Sequence, residues 1–196
     1  MLALPRGGVA VAFEVARELA APLDLVLVRK IGAPHQPELA IGAVADGPKP
    51  EMVTDPHLMR MLDVPDSYLA ETKARELLEI ERRRALYLAG RVPVEIRGRV
   101  AIIIDDGIAT GATMLAALRA TRHRAPSRLV LAVPVASGDS LARCEKEADE
   151  TICLETPGDF MAVGQFYRSF PQLEDQEVIT LLEQAKTFAQ GPQGTT

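Results

Sequence analysis

The chain is short of basic charge, of cysteine, of aromatic rings and of long apolar runs, and each shortage removes a class of explanation. Its 196 residues carry 22 Lys and Arg against 27 Asp and Glu, a net charge of -5. No basic field is therefore present to hold nucleic acid or an anionic membrane nonspecifically, and a site for a polyanion has to be local. The longest apolar runs, such as Leu25 to Val28 and Val100 to Ile104, fall far short of the roughly 20 residues that span a bilayer. Met1 is followed almost at once by Pro5-Arg6-Gly7-Gly8 with no basic and apolar leader between them, so a cytoplasmic location is expected. Cys144 and Cys153 are the two cysteines, and neither has a histidine beside it. Two thiols are too few for a zinc site and a disulfide is not expected in a reducing compartment, so both read as buried thiols.

What is present is an ordinary globular balance, 47% hydrophobic and 25% charged, which excludes a disordered or collagen-like chain. Short apolar runs alternate with helix-like stretches, the rhythm of a parallel sheet covered by helices. Strands are expected at Leu2 to Leu4, Leu25 to Val28, Val100 to Ile104, Leu129 to Val133 and Thr151 to Leu154. Helices are expected at Val9 to Leu19, Thr113 to Thr121, Ser140 to Glu147 and Val178 to Phe188. The fold class is thus α/β, a doubly wound, mainly parallel five-stranded sheet flanked by helices. One domain over residues 1–190 is expected, with 191–196 a disordered tail. An insert over residues 31–98 interrupts it. Its first part holds Pro34, Pro37, Pro48, Pro50 and Pro56, which suits a mobile loop or a short hairpin rather than a helix. Its second part, Ser67 to Leu88, spaces Ala70, Ala74, Leu77, Leu78, Ala85 and Leu88 as one buried helix face, with Ser67 as N-cap. Glu76, Glu79 and Glu81 interleave with Arg82, Arg83 and Arg84, so those arginines read as a solvated, ion-paired face.

The most informative stretch runs Val100-Ala-Ile-Ile-Ile-Asp105-Asp106-Gly107-Ile108-Ala109-Thr110-Gly111-Ala112-Thr113. A buried strand delivers two carboxylates at its C-terminal edge, where open α/β sheets bind ligands. The small and hydroxylated residues that follow open into a helix, so Gly107 and Gly111 let N–H groups converge at a helix N-terminus, a phosphate cradle. Carboxylates repel phosphate, so the acidic pair suits the vicinal diol of a sugar phosphate. Neither a Walker loop nor a Gly-x-Gly-x-x-Gly turn is present.

This pattern resembles the phosphoribosyl pyrophosphate (PRPP) motif of the type I phosphoribosyltransferases. The resemblance implies that Asp105 and Asp106 face the ribose hydroxyls as the catalytic pair, and that Ala109, Thr110, Gly111, Ala112 and Thr113 bind the 5-phosphate. Leu4-Pro5-Arg6-Gly7-Gly8 is similar to the family's pyrophosphate loop, where a non-proline cis bond often occurs, so Arg6, Gly7 and Gly8 are expected to bind pyrophosphate. Arg29 and Lys30 resemble a basic pair placed near the same group. Ile31 to Pro50 occupies the position of the family's flexible loop, with His35 and Glu38 as candidate contacts. Four of the eight aromatic residues, Phe160, Phe166, Tyr167 and Phe170, fall within 155–175, the candidate hood over an acceptor base; core packing is the competing reading of each ring. The implied cofactor is Mg2+, held mainly by PRPP with Asp105 or Asp106 contributing, and relatives suggest a homodimer. The implied activity is transfer of the 5-phosphoribosyl group to a nitrogenous base with release of pyrophosphate. A PRPP-sensing protein without catalysis is the alternative.

Overall fold

Each of the five expected strands contributes residues to a single parallel sheet, Leu25 to Val28 through Leu25 alone, but the chain builds a second sheet as well. The computed structural model describes residues 1–47 and 49–188, so the tail expected over 191–196 lies outside the described residues. The chain starts with β1 (Leu2–Ala3), α1 (Gly7–Glu18) and β2 (Asp24–Leu25), then passes through β3 (Val28–Ala33), β4 (Gln36–Ala45), β5 (Glu51–Thr54), α2 (Pro56–Met61) and α3 (Asp66–Tyr87). It returns through β6 (Val100–Ile104), α4 (Ala112–Arg122), β7 (Arg128–Val135), α5 (Gly138–Cys144), β8 (Glu150–Glu155) and α6 (Asp175–Ala185).

The five-stranded sheet has the order β2-β1-β6-β7-β8 with every pairing parallel. Its order reverses at β1, which has β2 on one side and β6 on the other. The loops after β1 and β6 therefore leave in different directions and open a crevice between them, the place where doubly wound sheets take ligands. The two motifs singled out from the sequence follow these two strands.

The run Leu25 to Val28 is not one strand. β2 ends at Leu25, and from Leu27 the backbone finds a new partner: the Asp46 amide donates to the Leu27 carbonyl at 3.1 Å, and Val28 pairs with Ala45. β3, β4 and β5 form an antiparallel sheet of their own. Of the two expectations for the proline-dense first part of the insert, the hairpin holds and the mobile loop does not: β3 and β4 are a hairpin, and β5 extends it to three strands. Pro34 and His35 form the two-residue turn between Ala33 and Gln36, with His35 at φ 63°, the Pro-then-positive-φ pattern of a type II turn.

α4 lies between the two sheets. This explains why Met114, Leu115, Ala116, Ala117, Leu118, Ala120 and Thr121 are all buried, leaving only a narrow polar edge of Arg119 and Arg122, which pair with Glu147 and Asp149. α3 does begin near Ser67, but its first residue is Asp66 and its N-cap is Pro65, which offers no side-chain bond. The buried face is rotated from the one expected: Leu77 and Leu88 pack at its margin, but Thr72, Ile80 and Tyr87 are its buried centre, while Leu78 is 73% exposed and Ala70, Ala74 and Ala85 face outward. The alanines misled because they count as apolar yet lose little by exposure, and the buried stripe starts at a threonine. The arginines of α3 are ion-paired as expected, Arg82 and Arg83 both donating to Glu79 at 2.7 and 2.9 Å. Those hydrogen bonds, Arg82 first, lower the Glu79 carboxyl to about 2. Of the thiols, Cys144 is buried but Cys153, on the edge strand β8, is only partly so; both are free.

Candidate functional site

β6 ends in the acidic pair. The Asp106 amide donates to Asp105 Oδ1 at 2.9 Å, so the two side chains are held side by side where the sheet order reverses. Burial, and then the charge of Asp106, push the Asp105 carboxyl well above the usual carboxylate range; burial raises Asp106 too. Lys30 opposes both shifts from across the cleft.

The loop after β1 packs directly on this pair. A methyl group at Gly7 would sit 1.7 Å from Asp106 Oδ2, and one at Gly8 would sit 2.8 Å from the Ile104 carbonyl oxygen and 2.9 Å from the Asp105 Cα. Only glycines let the two loops approach so closely. The Pro5-Arg6 peptide is cis.

After the acidic pair the chain turns into α4 through Gly111, whose φ of 77° is the left-handed conformation expected of a glycine there. Gly107 serves another end. Its φ is ordinary, and a methyl group on it would meet Val163 at 2.8 Å, so it makes room for the segment that folds over the site. The loop's carbonyls are tied down from behind. Ser137 and Ser140 donate to the Ala109 oxygen at 2.9 and 2.7 Å, and Arg143 donates to the Thr110 oxygen at 2.7 Å. In a trans peptide N–H and C=O point in opposite directions, so the Thr110 and Gly111 amides face away from α5. Sequence reasoning missed these three anchors because they come from the next strand and helix, about 30 residues on, and carry no motif.

Arg6, Gly7, Lys30, Asp105, Asp106 and the loop from Gly107 to Gly111 line one cleft of about 260 Å³, together with Thr113 and Val163. Arg29, Gly8 and Ala112 do not line it. Gly8 lies behind the acidic pair, and Ala112 faces the neighbouring groove under the insert sheet. Arg29 belongs to the opposite side of β3, since neighbouring strand residues point to opposite faces, and it is paired with Glu76 of α3 at 2.9 Å. Glu38 lines that same neighbouring groove and His35 sits at the hairpin tip, so neither reaches the cleft.

A second cavity of about 540 Å³ adjoins the first and shares Arg6, Gly7 and Asp106 with it. Its far wall is Tyr167, Phe170, Pro171 and Leu173, facing Ala10 and Val11 of α1. Tyr167 stacks obliquely on Phe170 at 4.9 Å and donates from its hydroxyl to the Asp106 carbonyl at 2.7 Å, which fastens the aromatic segment to the acidic motif. Burial raises the Tyr167 phenol to about 12. Phe160 and Phe166 stack on each other at 5.5 Å and line neither cavity.

Residues 1–170 match the phosphoribosyl transferase domain model. The chain belongs to that family. It is 45% identical over 192 residues to chains from two strains of Mycobacterium tuberculosis that carry the name "Putative phosphoribosyl transferase". That alignment takes in 97% of this chain but 43% of theirs, so this chain spans less than half the length of those relatives. It also resembles the crystal structure of TT1426 from Thermus thermophilus, at 44% identity and a TM-score of 0.76, covering 93% of this chain and 86% of that one. The five-stranded parallel sheet flanked by helices is the phosphoribosyltransferase-like architecture expected from the sequence, and the three-stranded antiparallel form of its small insert is what the structure adds. No helix among the described residues is long and apolar enough to cross a membrane.

Proposed function

We propose that the chain transfers the 5-phosphoribosyl group of PRPP to a nitrogenous acceptor with release of pyrophosphate. The observation that carries this reading is the pair of adjoining cavities with Asp106 and Arg6 at their junction. The smaller one has the groups a ribose phosphate and pyrophosphate need: a diol-binding carboxylate pair, a glycine-capped helix start, Arg6 and Lys30. The larger one has aromatic and aliphatic walls suited to a flat heterocycle.

In this reading Asp105 and Asp106 accept hydrogen bonds from the ribose hydroxyls. The loop from Ala109 to Thr113 holds the 5-phosphate through its amides and hydroxyls, and Arg6, with Gly7 and Gly8 shaping its loop, meets pyrophosphate beside Lys30. Of the pair Arg29 and Lys30, Lys30 alone is assigned a contact. Anchoring both ends of the sugar aligns C1 between leaving group and acceptor, which is catalysis by positioning and charge. The donor set suits Mg2+ only as an ion carried in on PRPP: two adjacent carboxylates are available, and no cluster of three metal-ligating side chains exists among the described residues. Bound there with Asp105 or Asp106 contributing, the ion would offset the charge of the departing pyrophosphate.

Pyrophosphate release from PRPP with Mg2+ and a panel of bases, run alongside calorimetric PRPP affinity, tests the reading. Turnover with any base supports it. Tight PRPP binding without turnover on the whole panel supports a PRPP sensor instead. Position 109 narrows the panel. Members of the family that act on 6-oxopurines place an Asp there beside the purine, and Ala109 has no group to handle a proton, a contribution of about 10²–10⁴-fold where present. Hypoxanthine, guanine and xanthine should therefore show negligible turnover, and robust conversion of hypoxanthine would overturn this assignment.

A further inference from the structure

Arg6 stands where the two cavities meet, and its guanidinium is held from outside the family-matched segment. Its Nη1 lies 3.6 Å from Asp175 Oδ1, and Asp175 is the first residue of α6, beyond the last matched residue, 170. The same carboxylate oxygen accepts a hydrogen bond from the Tyr87 hydroxyl at 2.5 Å. Tyr87, the last residue of α3, is 3% exposed. We infer that Asp175 is a positioning residue: braced by Tyr87, it aims Arg6 at the junction where the leaving group sits. This rests on the reading of Arg6 as a pyrophosphate contact.

An exposed ion pair is worth little, in part because two long side chains must be ordered to make it. Here one partner is ordered already. Asp175 occupies the first turn of a helix, where the peptide dipoles favour a carboxylate, and Tyr87 fixes its rotamer. Burial, and then the neighbouring Asp175, push the Tyr87 phenol to about 12, so it remains a donor throughout the neutral range. The contact to Arg6 is also of the right strength to leave the arginine available. At 3.6 Å it is an ion pair rather than a hydrogen bond, and it engages one nitrogen of the fork, leaving the rest for a second anion. Asp175 is the single acid paired with Arg6 among the described residues. Without it the guanidinium, on a side chain with four rotatable bonds, has no ion-pair partner among the described residues to set its direction.

The test is calorimetry of PRPP and ribose 5-phosphate with Mg2+ on the full chain, with melting temperatures in parallel. Asp175→Asn should weaken PRPP by about five- to tenfold and ribose 5-phosphate by less than about twofold, because only the former carries the group Arg6 meets. Tyr87→Phe, which keeps the ring and removes the hydroxyl, should show the same pattern at a smaller size. In an Arg6→Ala background Asp175→Asn should have no further effect, since the two act as one unit. An additive double variant, or equal losses for both ligands, would make Asp175 merely structural and overturn the inference. Weakened PRPP binding in Arg6→Ala with wild-type binding in Asp175→Asn overturns the positioning role alone. Wild-type PRPP binding in Arg6→Ala overturns the pyrophosphate assignment and the inference with it.

Discussion

Burial at the end of a strand penalises the charge of the acidic pair, and at Asp105 the neighbouring charge of Asp106 adds to it, so Asp105 is pushed well above the usual carboxylate range and Asp106 is raised too. Between the ordinary aspartate range and its own raised one, folded Asp105 holds a proton that the unfolded chain has released. Stability is therefore lost as pH rises through that interval, and the loss is fully in place above it. Asp105→Asn should raise the melting temperature of the ligand-free protein at pH 8 by about 2–4 °C, the shift that ~1 kcal/mol gives a chain of this size. The gain should vanish near pH 4, and a variant no more stable than wild type at pH 8 would show that the pair carries no such penalty. The glycines make the opposite case. Gly8→Ala drives a methyl group into the Ile104 carbonyl, where backbone cannot yield, and should cost about 1–3 kcal/mol in denaturant melts. Gly138→Ala, with nothing within 4 Å of the new methyl, should stay within about 0.5 kcal/mol.

Elements differ in how plainly the sequence announces them. The acidic motif and the helix it opens were legible because every residue that defines them is contiguous and lies at the end of an apolar run. α3 was legible in extent but not in orientation. Which way its stripe faces depends on what it packs against, and the insert sheet it packs against was hidden in a proline-dense segment. Two truncations separate the expected face from the observed one. Ile80→Ala, fully buried, should cost about 2–5 kcal/mol, whereas Leu78→Ala should change stability by less than about 0.5 kcal/mol. Equal costs in chemical denaturation would restore the face read from spacing. Arg29 failed for the same reason: two adjacent basic residues on a strand cannot both reach one cleft, and the sequence does not say which one turns inward. The anchors Ser137, Ser140 and Arg143, the Tyr167 hydroxyl and the brace at Asp175 are long-range contacts, and they leave no local signature to find.

Across the whole molecule the site is assembled from segments far apart in the chain, the loop after β1, Lys30 of β3, the loop after β6 and the segment around Tyr167, so a ligand that fills it adds contacts between all of them. A ligand bound to the folded state alone stabilises it by about 2.7 kcal/mol at a hundredfold excess over its Kd. PRPP with Mg2+ at that excess should raise the melting temperature by about 5–10 °C. At the same concentration the Asp105→Asn, Asp106→Asn double variant should lose about half that rise or more, since tenfold weaker binding removes about 1.4 kcal/mol. An undiminished rise would take the diol away from the acidic pair. α3 gives this assembly a mechanical character. Near its start the Tyr68 hydroxyl holds the Gly32 carbonyl at 2.9 Å, at mid-length Glu76 holds Arg29, and towards its end Arg84 holds Asp46. The hairpin is thus riveted along most of a 22-residue rod about 33 Å long, rather than hung from its base. The hairpin and the brace on Arg6 therefore share one element: the rod's last residue is Tyr87, which donates to the Asp175 carboxylate that pairs with Arg6, so a single helix joins the insert sheet to the guanidinium.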